Sequence, residues 1–186
     1  MVTAPRFLRA NLTPEHEREF FASGESLVDV MLGIIEAGLV PKFAPMSMLE
    51  YGCGVGRLAI PLSRRPGSLT AVDRSRVMLD VARREAERRG AGHITFRTPD
   101  EFAATSGKFD LVVCYHVLQR LRRGEGLALI RHLVERISAN GVGVFQWPLR
   151  TGVSVSVGIA RWARERVPGV RLDSGQVVLL CLLKLA

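Results

Sequence analysis

Glycines at 52, 54 and 56 alternate with Cys53 and Val55 directly behind a short apolar run that ends in Glu50 and Tyr51, and an amphipathic run follows at once. Without a Cβ, glycine reaches dihedrals closed to other residues and lets a ligand approach the main chain. A strand, a tight turn and a helix beginning near Val55 are expected, with the helix's free N–H groups and positive dipole end facing that ligand. Such an end suits a carboxylate or a phosphate. Spacing narrows the choice. A dinucleotide fingerprint would need glycine at position 57, where Arg57 stands, and without Gly-Lys-Ser/Thr a P-loop is excluded.

Asp73 closes the next apolar run about twenty residues after Gly52, where a doubly wound fold presents an acid to ribose hydroxyls. Its carboxylate can accept two hydrogen bonds side by side, which a neutral amide cannot. A strand-end acid or helix cap is the plainer use of such a residue.

The pattern E-x-G-x-G-x-G at 50–56, Ala-Val-Asp-Arg-Ser at 71–75 and FDLVVCYHVLQRL at 109–121 together resemble motifs I, II and IV of the class I S-adenosylmethionine (SAM) dependent methyltransferases. The likeness covers about residues 20 to 147, with the motifs in order and at fitting distances. It implies SAM as cofactor and S-adenosylhomocysteine as product. Glu50, Tyr51, Gly52, Cys53, Gly54 and Gly56 would line the cofactor, with Asp73 and its neighbour Arg74 at the ribose. In Pro99-Asp100-Glu101 the family places an acid near the adenine amino group, Asp100 being the better match and Glu101 the other; Asp100 would equally suit a helix N-cap. Cys114, Tyr115, His116 and Gln119 would lie beside the methyl group and the methionine part. Asp110, at the opening of its strand, falls at the end away from the cleft and reads as structural.

Methyl transfer is an in-line displacement at a sulfonium carbon, so the protein's work is alignment and handling of the acceptor's proton. His116, with an imidazole that titrates near neutrality, is the candidate general base for a hydroxyl acceptor; packing against the cofactor or a loop is the plainer role. No Asn/Asp-Pro-Pro-Tyr/Phe follows the fourth strand, no Pro-Cys pair stands there, and no Asp/Asp/Asn metal set is recognisable. Small-molecule and glycan acceptors remain, with oxygen as the acceptor atom and no metal.

With 186 residues, 47% of them apolar and 24% charged, the chain has the composition of one globular domain with a substantial core. No apolar run approaches the ~20 residues of a membrane span, and the first residues lack the apolar stretch of a secretory signal. Cys53, Cys114 and Cys181 are odd in number and lack C-x-x-C spacing, so free buried thiols and a cytoplasmic location are expected. The net charge of +8 is almost all arginine, spread along helix faces beside glutamates and not interleaved with aromatics. Solvated faces are favoured over a nucleic-acid surface.

Two helices are expected over 13–21 and 25–38, with Thr13 as N-cap, Pro14 at N1 and a break at 21–25. Strands follow at 47–51, 68–73, 93–97, 109–115 and 142–147, with helices at 55–64, 75–89, 100–104 and 125–138. That alternation predicts a doubly wound, mostly parallel α/β sheet with helices on both faces. An N-terminal helical cap would occupy 1–45 and the SAM-binding domain 46–186. Residues 153–166 suggest a helix and 176–185 a buried strand or short helix. Family members close the sheet with an antiparallel strand pair, for which only one strand is in view. A truncated chain, a homodimer that completes the sheet through an exposed edge, or a divergent C-terminus would each account for it. A non-catalytic SAM-binding scaffold and an RNA methyltransferase are the alternatives to an active small-molecule enzyme.

Overall fold

Alternation of side chains along the strands separates two cores, one on each face of a single sheet. A computed structural model of the chain describes residues 13–149 and 177–184. Within them the strands are β1 (Ser47–Tyr51), β2 (Ser68–Val72), β3 (Thr95–Arg97), β4 (Phe109–Cys114), β5 (Ile137–Leu149) and β6 (Val177–Lys184). Between them run α1 (Pro14–Gly38), α2 (Ala59–Ser63), α3 (Arg76–Arg88), α4 (Pro99–Ala103) and α5 (Arg123–Val134). Met48, Leu69, Ala71, Leu111, Val113 and Val144 join α1 and α3 in one core. Their neighbours Leu49, Val72, Val112, Cys114 and Phe145 face Phe102 of α4 and Leu133 of α5 in the other. A period of two on strands buried on both sides is what places helices on both faces.

The sheet order is β3-β2-β1-β4-β5-β6, with the first five strands parallel and β6 antiparallel to β5. The chain winds one way from β1 to β3 and the other way from β4. The switch therefore falls between β1 and β4, at whose carboxyl ends doubly wound folds bind ligands. β6 is a strand and not a helix, in register from Val142↔Lys184 to Leu149↔Val177. The helix expected over 153–166 lies outside the described residues.

Several boundaries differ from expectation for identifiable reasons. α1 is one helix of 25 residues, not two. Thr13 caps it as expected, but the Ser23 and Ser26 hydroxyls donate to the carbonyls of Phe20 and Ala22 inside the helix. Gly24 is there because the helix presses on Arg57, whose carbonyl would lie 2.1 Å from an added Cβ. That glycine marks a contact, not a break. α2 begins only at Ala59, after a turn through Gly54, Val55, Gly56 and Arg57. All three loop glycines have positive φ, and Pro61 has no N–H for the Arg57 carbonyl, so a helix cannot start at Val55. Five residues make no dipole-bearing anion site, and any ligand meets the loop itself.

β5 begins at Ile137, ahead of the expected start at 142, and takes in Asn140-Gly141. Asn140 has φ 62°, and the register jumps so that Phe109 faces Ile137 while Leu111 faces Val142. The dipeptide is an irregularity within the strand. Arg136 ends α5 early: it is 8% exposed, and its guanidinium donates to the carbonyls of Thr105 and Gly107 at 2.8 and 2.7 Å. Asp110 is structural, as expected. Burial would raise its pKa, but hydrogen bonds from Ser138, Met46 and Ser47 hold it below the ordinary carboxylate value.

Candidate active site

The glycine loop and the acid of β2 are tied together. The Asp73 Oδ2 accepts from the Gly54 N–H at 2.9 Å, and Oδ1 accepts from Ser75 N–H at 2.9 Å. Gly52 and Cys53 N–H both donate to the Val72 carbonyl, at 2.7 and 3.0 Å. The loop therefore hangs on the end of β2, with Asp73 at its centre. Gly52 has φ 89°, and a Cβ there would lie 2.0 Å from the Val117 Cγ2. Glycine is required at that position by both conformation and space. Gly54, at φ 55°, has open space where its Cβ would be.

Beside the loop, Tyr51 is half-buried and meets Phe102 edge-on at 6.2 Å between centroids. Burial raises its phenol pKa, and the charges of Asp73 and Asp100 push the same way. Tyr51, Asp73 and Asp100 are thus neighbours at one side of the cleft. Glu101 is held in another arrangement. Its Oε2 accepts from Thr98 N–H at 2.7 Å while Thr98 Oγ1 accepts from Glu101 N–H, a capping box in which Thr98, not Asp100, is the N-cap. The Thr98 N–H hydrogen bond holds the exposed Glu101 carboxyl below its ordinary pKa. Arg74 is exposed and makes no ion pair or hydrogen bond among the described residues.

Glu50 is 3% exposed, and its Oε2 has no hydrogen-bond partner. Burial pushes its pKa up to about 8 against the pull of Arg57, with Asp73 adding to the rise. A buried oxygen without a partner at the foot of a glycine loop is what a ligand's N–H donor or a water would satisfy. The thiols of Cys53 and Cys114 are buried in the two cores, and burial pushes the latter up to about 12. Neither is a thiolate nucleophile.

After β4 the chain turns sharply. His116 has φ 60°, and its N–H donates to the Oε1 of Gln146 at 2.7 Å. The buried Gln146 on β5 thus secures a left-handed residue at the cleft. Sequence reasoning missed it, although a lone polar residue inside Val-Gly-Val-Phe-Gln-Trp was its signal. Tyr115 and His116 pack edge-on at 4.5 Å, and the His116 Nδ1 lies 3.1 Å from the Gln119 Nε2 and 3.4 Å from its Oε1. Burial pulls the His116 pKa below its ordinary value, opposed by Gln119 and reinforced by Arg57. At neutral pH the imidazole is therefore uncharged. If Nδ1–H donates to Gln119, Nε2 is left with the lone pair a base needs; if the Gln119 amide donates, Nε2 carries the proton.

Arg57 is the other residue that sequence reasoning passed over, noting it only as a departure from a dinucleotide loop. Its guanidinium lies 5.8 Å from the ring centres of both Phe20 and Tyr115, and Nη1 donates to the Ser23 hydroxyl at 3.3 Å.

A doubly wound sheet with a glycine loop bonded to a β2 acid defines a nucleoside-binding class of α/β protein. Comparison with known sequences makes this specific: the methyltransferase domain family matches residues 48–141, and the chain belongs to that family. The magnesium-protoporphyrin O-methyltransferase of Synechocystis is 38% identical over 111 residues, 59% of this chain and 46% of the relative. A ubiquinone biosynthesis O-methyltransferase of Methylocella silvestris is 36% identical over 87 residues, 43% of this chain and 34% of the relative. The chain thus spans less than half the length of these relatives. Among solved structures, the Synechocystis magnesium protoporphyrin IX methyltransferase with bound SAM superposes with a TM-score of 0.59 at 24% identity, covering 78% of this chain and 69% of that one. The CcbJ methyltransferase of Streptomyces caelestis gives 0.53 at 22% identity, covering 67% and 51%. At such identities these likenesses speak to the fold.

Proposed function

We propose that the chain binds SAM across the carboxyl ends of β1, β2 and β4 and directs its methyl group to an oxygen of a small-molecule or glycan acceptor. The observation that carries this is the Asp73–Gly54 hydrogen bond, which joins ribose acid and glycine loop into one preformed unit. Each Asp73 oxygen keeps lone-pair capacity beyond its one amide partner, enough for the two ribose hydroxyls. Tyr51 and Asp100 would flank the base. Bound SAM supplies a methyl group already activated on a sulfonium. The chain's own residues align the two partners and take the acceptor's proton. His116, uncharged at neutral pH and at the cleft, is the proposed base. That relatives are named O-methyltransferases of protoporphyrin and ubiquinone biosynthesis supports an oxygen on a small molecule. Among the described residues no helix is long and apolar enough to cross a membrane, and a cytoplasmic location is part of the proposal. So is pairing with a second copy along the outer edge of β6.

Calorimetric titration with SAM and with S-adenosylhomocysteine tests the reading. Saturable binding is expected, weakened about 10- to 100-fold in Asp73→Asn, which keeps the shape and loses one acceptor. Labelled SAM incubated with small-molecule and glycan extracts then reports transfer. A folded protein that binds neither nucleoside would sink the proposal.

A further inference from the structure

Arg57 has no part in the reading above, and its donors are used less fully than those of the buried Arg136, whose guanidinium gives three hydrogen bonds. Arg64, Arg65, Arg83, Arg88 and Arg89 all pair with carboxylates. Arg57 is half-buried, yet among the described residues it forms no ion pair, and a single hydrogen bond to Ser23 uses one of its five donors. Its position is nonetheless well determined. The carbonyl abuts Gly24 of α1, and the guanidinium lies between the rings of Phe20 and Tyr115. The helix on one side and the loop after β4 on the other hold this cation at the glycine loop with donors to spare. Glu50, at the end of the strand that leads into the same loop, is buried with an oxygen unpartnered among the described residues. A cation with free donors beside a carboxyl with a free acceptor is complementary to an α-amino acid, whose carboxylate and ammonium sit on one carbon.

We propose that Arg57 is the residue that holds the carboxylate of the cofactor's amino-acid end, by charge-assisted hydrogen bonds from its fork of N–H groups. This rests on the SAM reading above. A carboxylate on the acceptor is the other ligand with the same chemistry. The cofactor is favoured because Arg57 belongs to the glycine loop itself, the loop that Glu50 and Tyr51 lead into.

The test compares S-adenosylhomocysteine with its decarboxylated analogue by calorimetry, in the full chain and in Arg57→Gln and Arg57→Lys. The unmodified protein should prefer the carboxylate form by about 10- to 100-fold. In Arg57→Gln that preference should vanish. The carboxylate form should weaken to the level of the analogue, and the analogue, itself a cation, should bind as well as before or better. Arg57→Lys should keep part of the preference, as a point charge without the fork. Equal weakening of both ligands in Arg57→Gln would mean that Arg57 only supports the wall, and overturns the proposal. An undiminished preference overturns it too, and if the acceptor's KM then rises, the carboxylate was the acceptor's. Failure of the unmodified protein to bind S-adenosylhomocysteine would instead overturn the SAM reading.

Discussion

His116 illustrates how much a single residue's role depends on its neighbours' hydrogen bonds. A histidine after an apolar strand has an imidazole that titrates near neutrality, and this much is legible from its type. Its left-handed backbone, secured by Gln146 from another strand, and its lowered pKa are not. The sign matters. With the pKa below the ordinary 6.5, the imidazole stays neutral, and able to accept a proton, to more acidic pH than a free histidine. If it is the base, the acid limb of kcat/KM should fall below that value, and His116→Gln should lower kcat by about 100-fold and abolish the limb. A pH–rate profile whose acid limb survives the substitution would assign His116 to packing. Asp73 is singled out by its distance from the glycines, and the structure adds its two amide partners, Gly54 and Ser75. Nothing in Thr-Pro-Asp-Glu shows that Thr98 and Glu101 close on each other; that pairing exists only once α4 forms.

At the scale of elements, α1 gives a paired test in which one substitution type has opposite signs. Gly33 lies in the helix with nothing within 4 Å of an added Cβ, so Gly33→Ala should stabilise the fold by about 0.5–1 kcal/mol through helix propensity alone. Gly24→Ala puts the same methyl 2.1 Å from the Arg57 carbonyl oxygen, which is backbone and cannot swing aside. It should destabilise, by about 1–3 kcal/mol, and weaken cofactor binding because the glycine loop moves with Arg57. Urea denaturation of the two variants checks this, and equal shifts of the same sign would show that α1 is not seated on the loop. The starts of β1, β2 and β4 and the helix cap at Thr13 were readable because caps and apolar runs are local. The continuity of α1, the delayed start of α2 and the bulge at Asn140 were not, since each depends on a contact or register with a distant segment.

Across the whole molecule, part of the arginine excess serves to clasp α1 to the ends of α2 and α3. Arg64, Arg65, Arg88 and Arg89 reach Glu25, Asp29 and Glu17, and Arg89 lies 3.9 Å over the Phe21 ring. Most of these pairs are exposed and each contributes little, so the apolar face through Val28, Met31 and Ile35 holds the helix. Global stability should instead carry the signature of Glu50. Faced by Arg57, Asp73 and the Ala59 N–H, it titrates near 8 in the folded chain against an ordinary value of 4.5. The folded state keeps a proton that the unfolded state releases. Its contribution is therefore full below 4.5 and is lost as pH rises through about 8. Glu50→Gln should match the unmodified protein near about pH 5 and exceed it near about pH 9 in urea denaturation. Parallel pH profiles for the two would mean that Glu50 is ionised and paired throughout.

The sequence by itself determined the class of fold, the order of the strands, and the positions of the glycine loop and of the acid at the end of β2. These rest on short-range causes: period-two burial, glycines where positive φ is needed, caps beside the residues they cap. Only the tertiary structure decided that Glu101 closes a capping box with Thr98, that β6 lies antiparallel to β5, and that Arg57 and Gln146 meet the turn after β4. Those follow from side chains meeting across a sheet whose neighbours lie far apart in the chain, where spacing carries no information.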